Sequence, residues 1–300
     1  MFVVTGASGN TGSAVANSLL DQGKTVRVIG RHAERLQSFV ARGAEAFIAH
    51  LTDAEALTRG FHGAEGVYVM IPPNAQSQDF RAEQHAISEV IGSALEKAGV
   101  RHAVSLSSVG ADKPDKTGPV AGLHELENRL NRITGLNILH LRAGYFMENT
   151  LGQAGAIKAF GKTAGPLRSD LKLPMIATRD IGAAAAAELV KRDFSGHQTR
   201  ELLGQRDLDM NEVTAIIGKA IQQPDLKYVQ LPNEQMLPAF IQMGMSSNIA
   251  ELILEMAGAL NSGHMRALEP RSSRNTTPTS FETFVAEQFV PFFKGQSKAA

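Results

Sequence analysis

Val3-Val4-Thr5-Gly6-Ala7-Ser8-Gly9-Asn10-Thr11-Gly12 decides how the rest of the chain folds. A β-branched run passes through Gly-x-x-Gly-x-x-Gly into a segment with Val15, Leu19 and Leu20 at helical spacing, closed by Gly23. A strand, a glycine turn and a helix in that order bring backbone N–H groups and a positive helix end to one point, which suits a pyrophosphate. Gly6 permits the tight turn, Gly9 lets a phosphate approach the backbone, and Gly12 allows close packing of helix on strand. Ser8, Asn10 and Thr11 lie between the glycines and join them as candidate cofactor contacts. The spacing differs from the Gly-x-Gly-x-x-Gly dehydrogenase fingerprint, and three turn glycines without a ligand are the plain alternative.

Outward from that motif the pattern repeats as strand and helix in alternation, the sequence form of βαβ units and a parallel sheet. Strands are expected at 2–5, 25–29, 46–49, 66–71, 102–106 and 137–141, and helices at 12–22, 33–42, 53–59, 79–98 and 123–132. Asp53 is placed as one helix cap and Asp180 as the cap of an Ala-rich helix ending near Lys191. Beyond about Thr199 the texture changes: short strands at 202–203 and 228–231 flank a helix at 211–222. Two Met-rich helical segments then fill 235–259, a polar loop spans 271–279, and an amphipathic helix covers 281–293. The expected fold is α/β: a doubly wound parallel sheet over 1–150 plus about 172–205, and a smaller α+β C-terminal domain from about 151–171 and 206–294. A frayed tail, 295–300, is expected to follow.

Composition narrows the chemistry. The chain has 300 residues and no cysteine, which excludes disulfides, thiolate nucleophiles and Cys-ligated metals, so redox work needs a borrowed organic cofactor. Thirty basic residues balance thirty acidic ones, which argues against direct nucleic-acid binding through bulk charge. Apolar runs fall short of the ~20 residues of a membrane span, and Met1 leads straight into a strand with no signal-peptide pattern, so a cytoplasmic protein is expected. No metal site is expected, because the nine His lack ligand spacing, and no Gly-x-Ser-x-Gly elbow occurs.

Cofactor choice is written at the end of the second strand, where an acidic residue accepts ribose hydroxyls and a basic one pairs with a 2′-phosphate. Here the sequence reads Val28-Ile29-Gly30-Arg31-His32, so NADP(H) is expected, with Arg31 on the phosphate and Asn10, Thr11 and Arg35 as helpers. A solvated strand-end Arg is the alternative. Ile71-Pro72-Pro73-Asn74 and Ser107-Ser108 follow the fourth and fifth strands, where an open parallel sheet binds ligands, and are placed around the nicotinamide end. Read alone, they would be a strand terminator and a turn.

The glycine motif, Arg31, Leu106-Ser107-Ser108-Val109-Gly110, Leu141-Arg142-Ala143-Gly144-Tyr145-Phe146-Met147-Glu148-Asn149 and Ile176-Ala177-Thr178-Arg179-Asp180-Ile181-Gly182 together resemble the NmrA-like group of atypical short-chain dehydrogenase/reductases. The resemblance covers roughly residues 1 to 220. It implies a Rossmann-like domain with a smaller C-terminal domain and a nicotinamide dinucleotide across the sheet edge. Members include NADPH-dependent quinone reductases, isoflavone-type reductases and regulators that bind the dinucleotide without turning it over.

Two departures from the family pattern bear on mechanism. Short-chain dehydrogenases pair a Tyr with a Lys four residues later; Val120 and His124 stand at the aligned positions, so the usual acid is missing. His124 is the candidate proton donor or cofactor contact, with a structural histidine as the alternative. His50 replaces the acid expected after the third strand. Tyr145 and Phe146 are placed against the nicotinamide, with Asn149 or Glu148 orienting a polar substrate atom. Asn74, Phe146, Asn149, Phe240 and Met243 form the candidate substrate pocket, the last two from a Met-rich lid that could equally be core. The expected activity is hydride transfer from NADPH to a quinone or similar planar acceptor. The alternative is a non-catalytic redox sensor, which would work through a homodimer or a protein partner.

Overall fold

The computed structural model describes residues 1–296. The tail expected at 295–300 therefore lies mostly outside the described residues. Val3, Val4 and their neighbours form β1 (Phe2–Thr5), every residue buried. After the glycine turn come α1 (Asn10–Asp21), β2 (Val26–Gly30), a 3₁₀ turn leading to the short α2 (Gln37–Val40), β3 (Glu45–Ile48), α3 (Ala54–Phe61) and β4 (Gly66–Val69). The second half of the sheet follows as α4 (Phe80–Lys97), β5 (His102–Ser108), α5 (Ala121–Asn131) and β6 (Asn137–Ala143). The single helix expected at 33–42 is thus broken into two short turns.

The chain then leaves this sheet. It forms β7 (Tyr145–Phe146), α6 (Gln153–Phe160), β8 (Thr163–Gly165), β9 (Leu173–Ile176) and α7 (Thr178–Lys191) before returning as β10 (His197–Leu202). The remainder is β11 (Asp207–Leu208), α8 (Met210–Ala220), β12 (Tyr228–Gln230), α9 (Asn233–Gln242), α10 (Ser247–Asn261), α11 (Phe281–Phe284) and α12 (Val290–Phe293), the last two joined through a π turn at Val285–Phe289. The segment read as a short strand at 202–203 is the end of β10, the outermost strand of the main sheet.

Seven strands pair in the order β10-β6-β5-β4-β1-β2-β3, all parallel, which is a Rossmann-like doubly wound sheet with one added edge strand. A parallel sheet needs cover on both faces. One face packs Val4, Val28, Tyr68, Val104 and Leu139 against α1 and α7; the other packs Val3, Ile29, Val67, Ala103 and Ile138 against α3, α4 and α5. A separate core of Met147, Leu173, Met175, Ile217, Phe281, Phe284 and Phe289 holds the smaller sheets β11-β9-β7 and β12-β8 with α8 and the C-terminal helix. Among the described residues no helix is long and apolar enough to cross a membrane.

The Ala-rich helix owes its composition to α1. A Cβ built on Gly182 would stand 2.3 Å from the Ala14 Cβ, so the two helices touch nearly backbone to backbone. The expected cap Asp180 does not cap this helix. Helix α7 starts at Thr178, and the buried Asp180 carboxylate instead accepts the Thr279 N–H at 2.9 Å and hydroxyl at 2.7 Å, fastening the C-terminal segment. Asp53, by contrast, caps α3, accepting the Ala56 N–H at 2.9 Å.

Candidate dinucleotide site

The strand order reverses between β1 and β4, so the connections after these strands diverge and leave a crevice at their carboxyl ends. The glycine turn lies there. Gly6 has φ +64°, a conformation that L side chains rarely adopt, and its carbonyl oxygen sits where a Gly12 side chain would go, 2.2 Å from an ideal Cβ. Gly9 is different. It is exposed, and a Cβ on it would meet only the Gly6 oxygen, at 3.4 Å, so nothing within the protein demands a glycine at this position.

The first turn of α1 has no side-chain cap and no acidic residue, and among the described residues no acceptor takes the N–H groups of Asn10, Thr11 and Gly12. Several other helices carry side-chain caps, although α5, α6 and α9 start without one as well. Asp79 caps α4, Asp209 and Glu212 form a capping box on α8, and Ser246 caps α10. At α7 the cap comes from far away, as Glu148 Oε1 accepts the Thr178 N–H at 3.0 Å and hydroxyl at 2.6 Å. An open helix end beside exposed Ser8 and Gly9 is an anion-binding arrangement. Thr11 contributes backbone only, because its side chain is buried and lies against the Tyr68 phenol, whose ionisation burial strongly disfavours.

Arg31 follows β2, is exposed, and makes no ion pair or hydrogen bond with another described residue. Its guanidinium is available to a ligand. His50 bonds Thr52 Oγ1 at 2.7 Å on the neighbouring turn.

At the other end of the crevice several side chains expected to face a ligand are engaged by the protein. Ser107 Oγ, buried, donates to Glu127 Oε1 at 2.5 Å, and the same carboxylate takes Arg142 in a fork, at 2.9 Å and 2.6 Å. Ser108, half-buried, bonds the Val109 carbonyl at 3.0 Å. Asn74 donates to the Glu83 carboxylate at 3.0 Å and accepts the Gln76 N–H at 3.2 Å. Ile71 is buried, while Pro72 is half-buried and Pro73 exposed along the loop. Ser107 and Asn74 thus hold loops and strand ends in shape; contact through their polar side-chain atoms would require breaking these bonds.

His124 is held at both nitrogens. Nδ1 donates to the Ala111 carbonyl at 2.8 Å, since a carbonyl can only accept, and the Asn128 amide donates to Nε2 at 2.8 Å. Both ring nitrogens are thus engaged within the protein, and service as a proton donor to a substrate would require breaking one of these bonds. His124 borders two polar clefts flanking α5, of about 270 and 350 Å³, and neither includes a residue of the glycine turn.

Val120, at the position of the usual Tyr, is 4% exposed and packed among Ala111, Ala259 and Met265. Helix α10 closes this region: a Cβ on Gly118 would stand 2.0 Å from the Leu252 carbonyl oxygen, and Glu255 accepts the Gly118 N–H at 3.2 Å. The same helix holds the loop after β4, through the Ser246 N–H to Ala75 at 2.9 Å, the Ser246 hydroxyl to Ser77, and Asn248 accepting the Phe80 N–H at 2.9 Å. One helix therefore braces the loops after both β4 and β5, a role no local motif announces.

Tyr145 and Phe146 follow β6, both half-buried, Tyr145 against the smaller core and Phe146 against the main sheet. Burial pushes the Tyr145 phenol up to about 12, so it stays protonated. Asn149 is exposed. Phe240 is half-buried on α9, and Met243, just past that helix, is 63% exposed, beside an exposed Ile241.

The sequence pattern of the NmrA-like family matches residues 1–285. The chain belongs to that family. A relative by sequence is the (4-alkanoyl-5-oxo-2,5-dihydrofuran-3-yl)methyl phosphate reductase of Streptomyces griseus subsp. griseus, 29% identical over 233 residues, 77% of each chain. The NADPH-dependent quinone oxidoreductase of Escherichia coli, solved with NADPH, superposes with TM-score 0.81 at 23% identity, covering 96% of this chain and 100% of that one. The triphenylmethane reductase of Citrobacter sp., solved with NADP(H), gives 0.78 at 18% identity, again with 96% and 100% covered. At these identities the two structures establish a shared NmrA-like fold.

Proposed function

We propose that this NmrA-like protein is an NADPH-dependent oxidoreductase that reduces a quinone or a similar planar conjugated acceptor. The observation that carries this reading is the uncapped first turn of α1, with three N–H groups free among the described residues beside an exposed Gly9. In this reading residues 1–150 with 172–205 hold the dinucleotide. Asn10, Thr11 and Gly12 bind the pyrophosphate through backbone N–H groups, Arg31 binds the 2′-phosphate, and the loops at 71–73 and 107–108 line the nicotinamide end. NADPH, when bound, supplies the hydride.

The chain's own contribution is placement. Loops braced by α10 fix the width of the opening, Tyr145 and Phe146 wall it, and Phe240 and Met243 present apolar surface to a flat acceptor. Holding two reactants at contact distance and in alignment supplies a large part of the barrier reduction by itself. With His124 engaged at both nitrogens and Val120 in place of an acid, the proton comes from solvent, which suits an acceptor whose reduced form is a stabilised anion. A conjugated carbonyl is common to a quinone and to the 5-oxo-2,5-dihydrofuran in the Streptomyces relative's name.

The reductase names of the relatives favour turnover over the redox-sensor alternative. The test is NADPH oxidation followed at steady state with a panel of quinones and unsaturated lactones. Tight NADPH binding with no oxidation across the panel would refute the enzyme reading and leave a sensor.

A further inference from the structure

Glu148 has one oxygen used and one left over. Oε1 accepts both Thr178 donors, whereas Oε2 is buried without a partner among the described residues. A buried, unpaired carboxylate oxygen is costly, and a proton on it removes most of that cost. Burial holds this carboxyl above the usual range, opposed by the two Thr178 donors.

Its location gives the leftover oxygen a consequence. Helices α1 and α7 both run away from the carboxyl ends of the strands, and they meet at Ala14 and Gly182, each the fifth residue of its helix. Thr178 and Asn10 therefore stand side by side, each about 6 Å beyond that contact at 1.5 Å per residue. Phosphates held at the open end of α1 would bring their charge to within about a Debye length of Glu148, where two like charges raise each other's proton affinity.

We infer that dinucleotide binding drives a proton onto Oε2 of Glu148, so that cofactor affinity and proton uptake are linked at this residue. The inference rests on the dinucleotide reading above. The other charged groups nearby are committed elsewhere. Arg179 pairs with Glu287 and Thr279, Asp180 is held by Thr279, and the Tyr145 phenol is neutral. The first turn of α1 has no acidic residue, and the Asp180 charge raises the proton affinity of Glu148 further.

The experiment is calorimetric titration of the full chain with NADPH at pH 6, 7 and 8, in buffers of different ionisation enthalpy, which reports protons taken up. The wild type takes up a fraction of a proton, and its Kd rises with pH by less than tenfold per unit, the limit for one linked proton. The 2′-phosphate of NADPH titrates too, so the readout is the difference between wild type and Glu148→Gln, repeated with NADH, which lacks that group. Glu148→Gln keeps an acceptor for Thr178 and loses the linked proton with both cofactors. Thr178→Val, which removes a donor to the ionised form, moves the uptake window to higher pH. Equal uptake in wild type and Glu148→Gln, or a window unmoved by Thr178→Val, overturns the inference. Absence of NADPH binding to the wild type refutes the dinucleotide reading beneath it instead.

Discussion

His124 donates its Nδ1 proton to the Ala111 carbonyl 2.8 Å away and accepts from Asn128 at Nε2, so the imidazole closes the loop after β5 onto α5. A ring committed in this way is a brace. Replacing it with alanine should lower kcat with a quinone by less than tenfold and destabilise the fold by about 1–2 kcal/mol, the worth of two hydrogen bonds. A general acid would cost 10²–10⁴-fold in kcat, so steady-state kinetics beside a denaturation curve separates the two roles.

Arg31 gives a cofactor prediction. Its side chain has no partner among the described residues, so Arg31→Ala should leave stability unchanged within about 0.5 kcal/mol. Loss of a charge-assisted bond to the 2′-phosphate should weaken NADPH binding about ten- to a hundredfold and leave NADH nearly untouched. Fluorescence titration with both dinucleotides reads this directly, and an equal loss for the two would mean that Arg31 does not read the 2′-phosphate.

The glycine turn separates folding from binding. Gly12→Ala puts a methyl 2.2 Å from the Gly6 oxygen and should destabilise by about 1–3 kcal/mol. Gly9→Ala meets nothing closer than 3.4 Å within the protein, so its melting temperature should stay near wild type while NADPH affinity falls. Thermal melts with and without NADPH on both variants test the contrast; a Gly9 variant that binds normally would place the phosphates elsewhere.

His140 sets an acid limit on stability. It is buried with Ser105 Oγ at 2.6 Å and Asn131 Oδ1 at 2.9 Å, and burial lowers its pKa to about 4 from 6.5. Between these values the unfolded chain binds a proton that the folded protein refuses. Stability is therefore full above about pH 6.5 and declines as pH falls toward 4, by about 3 kcal/mol from this residue. Urea titrations at pH 7 and 4.5 should show that slope in the wild type and a shallower one in His140→Gln.

Much of the architecture was legible because it is written locally. The β1 motif, the alternation of strand and helix, and the Asp53 cap need only neighbours in sequence. The site was legible at the level of strand ends but not of side-chain partners: Ser107 sits at the end of β5, yet whether its hydroxyl meets a ligand or Glu127 depends on α5, twenty residues on. Asp180 shows the same limit. An acid near a helix start looks like a cap, but Glu148, thirty residues upstream, fills that place and Asp180 is taken by Thr279, a hundred residues downstream. The bracing of two loops by α10 is likewise a long-range contact with no local signature.

The excursion between β6 and β10 also constrains the order in which the protein can be made. The chain quits the main sheet at Ala143 and does not rejoin it until His197, so during synthesis β6, with Ile138, Leu139 and Leu141, waits as an unpaired edge while the intervening residues emerge. An open edge flanked by bulky apolar side chains is a template for pairing with another nascent chain. Anything that delays the arrival of β10 after β6 has emerged would prolong that exposure.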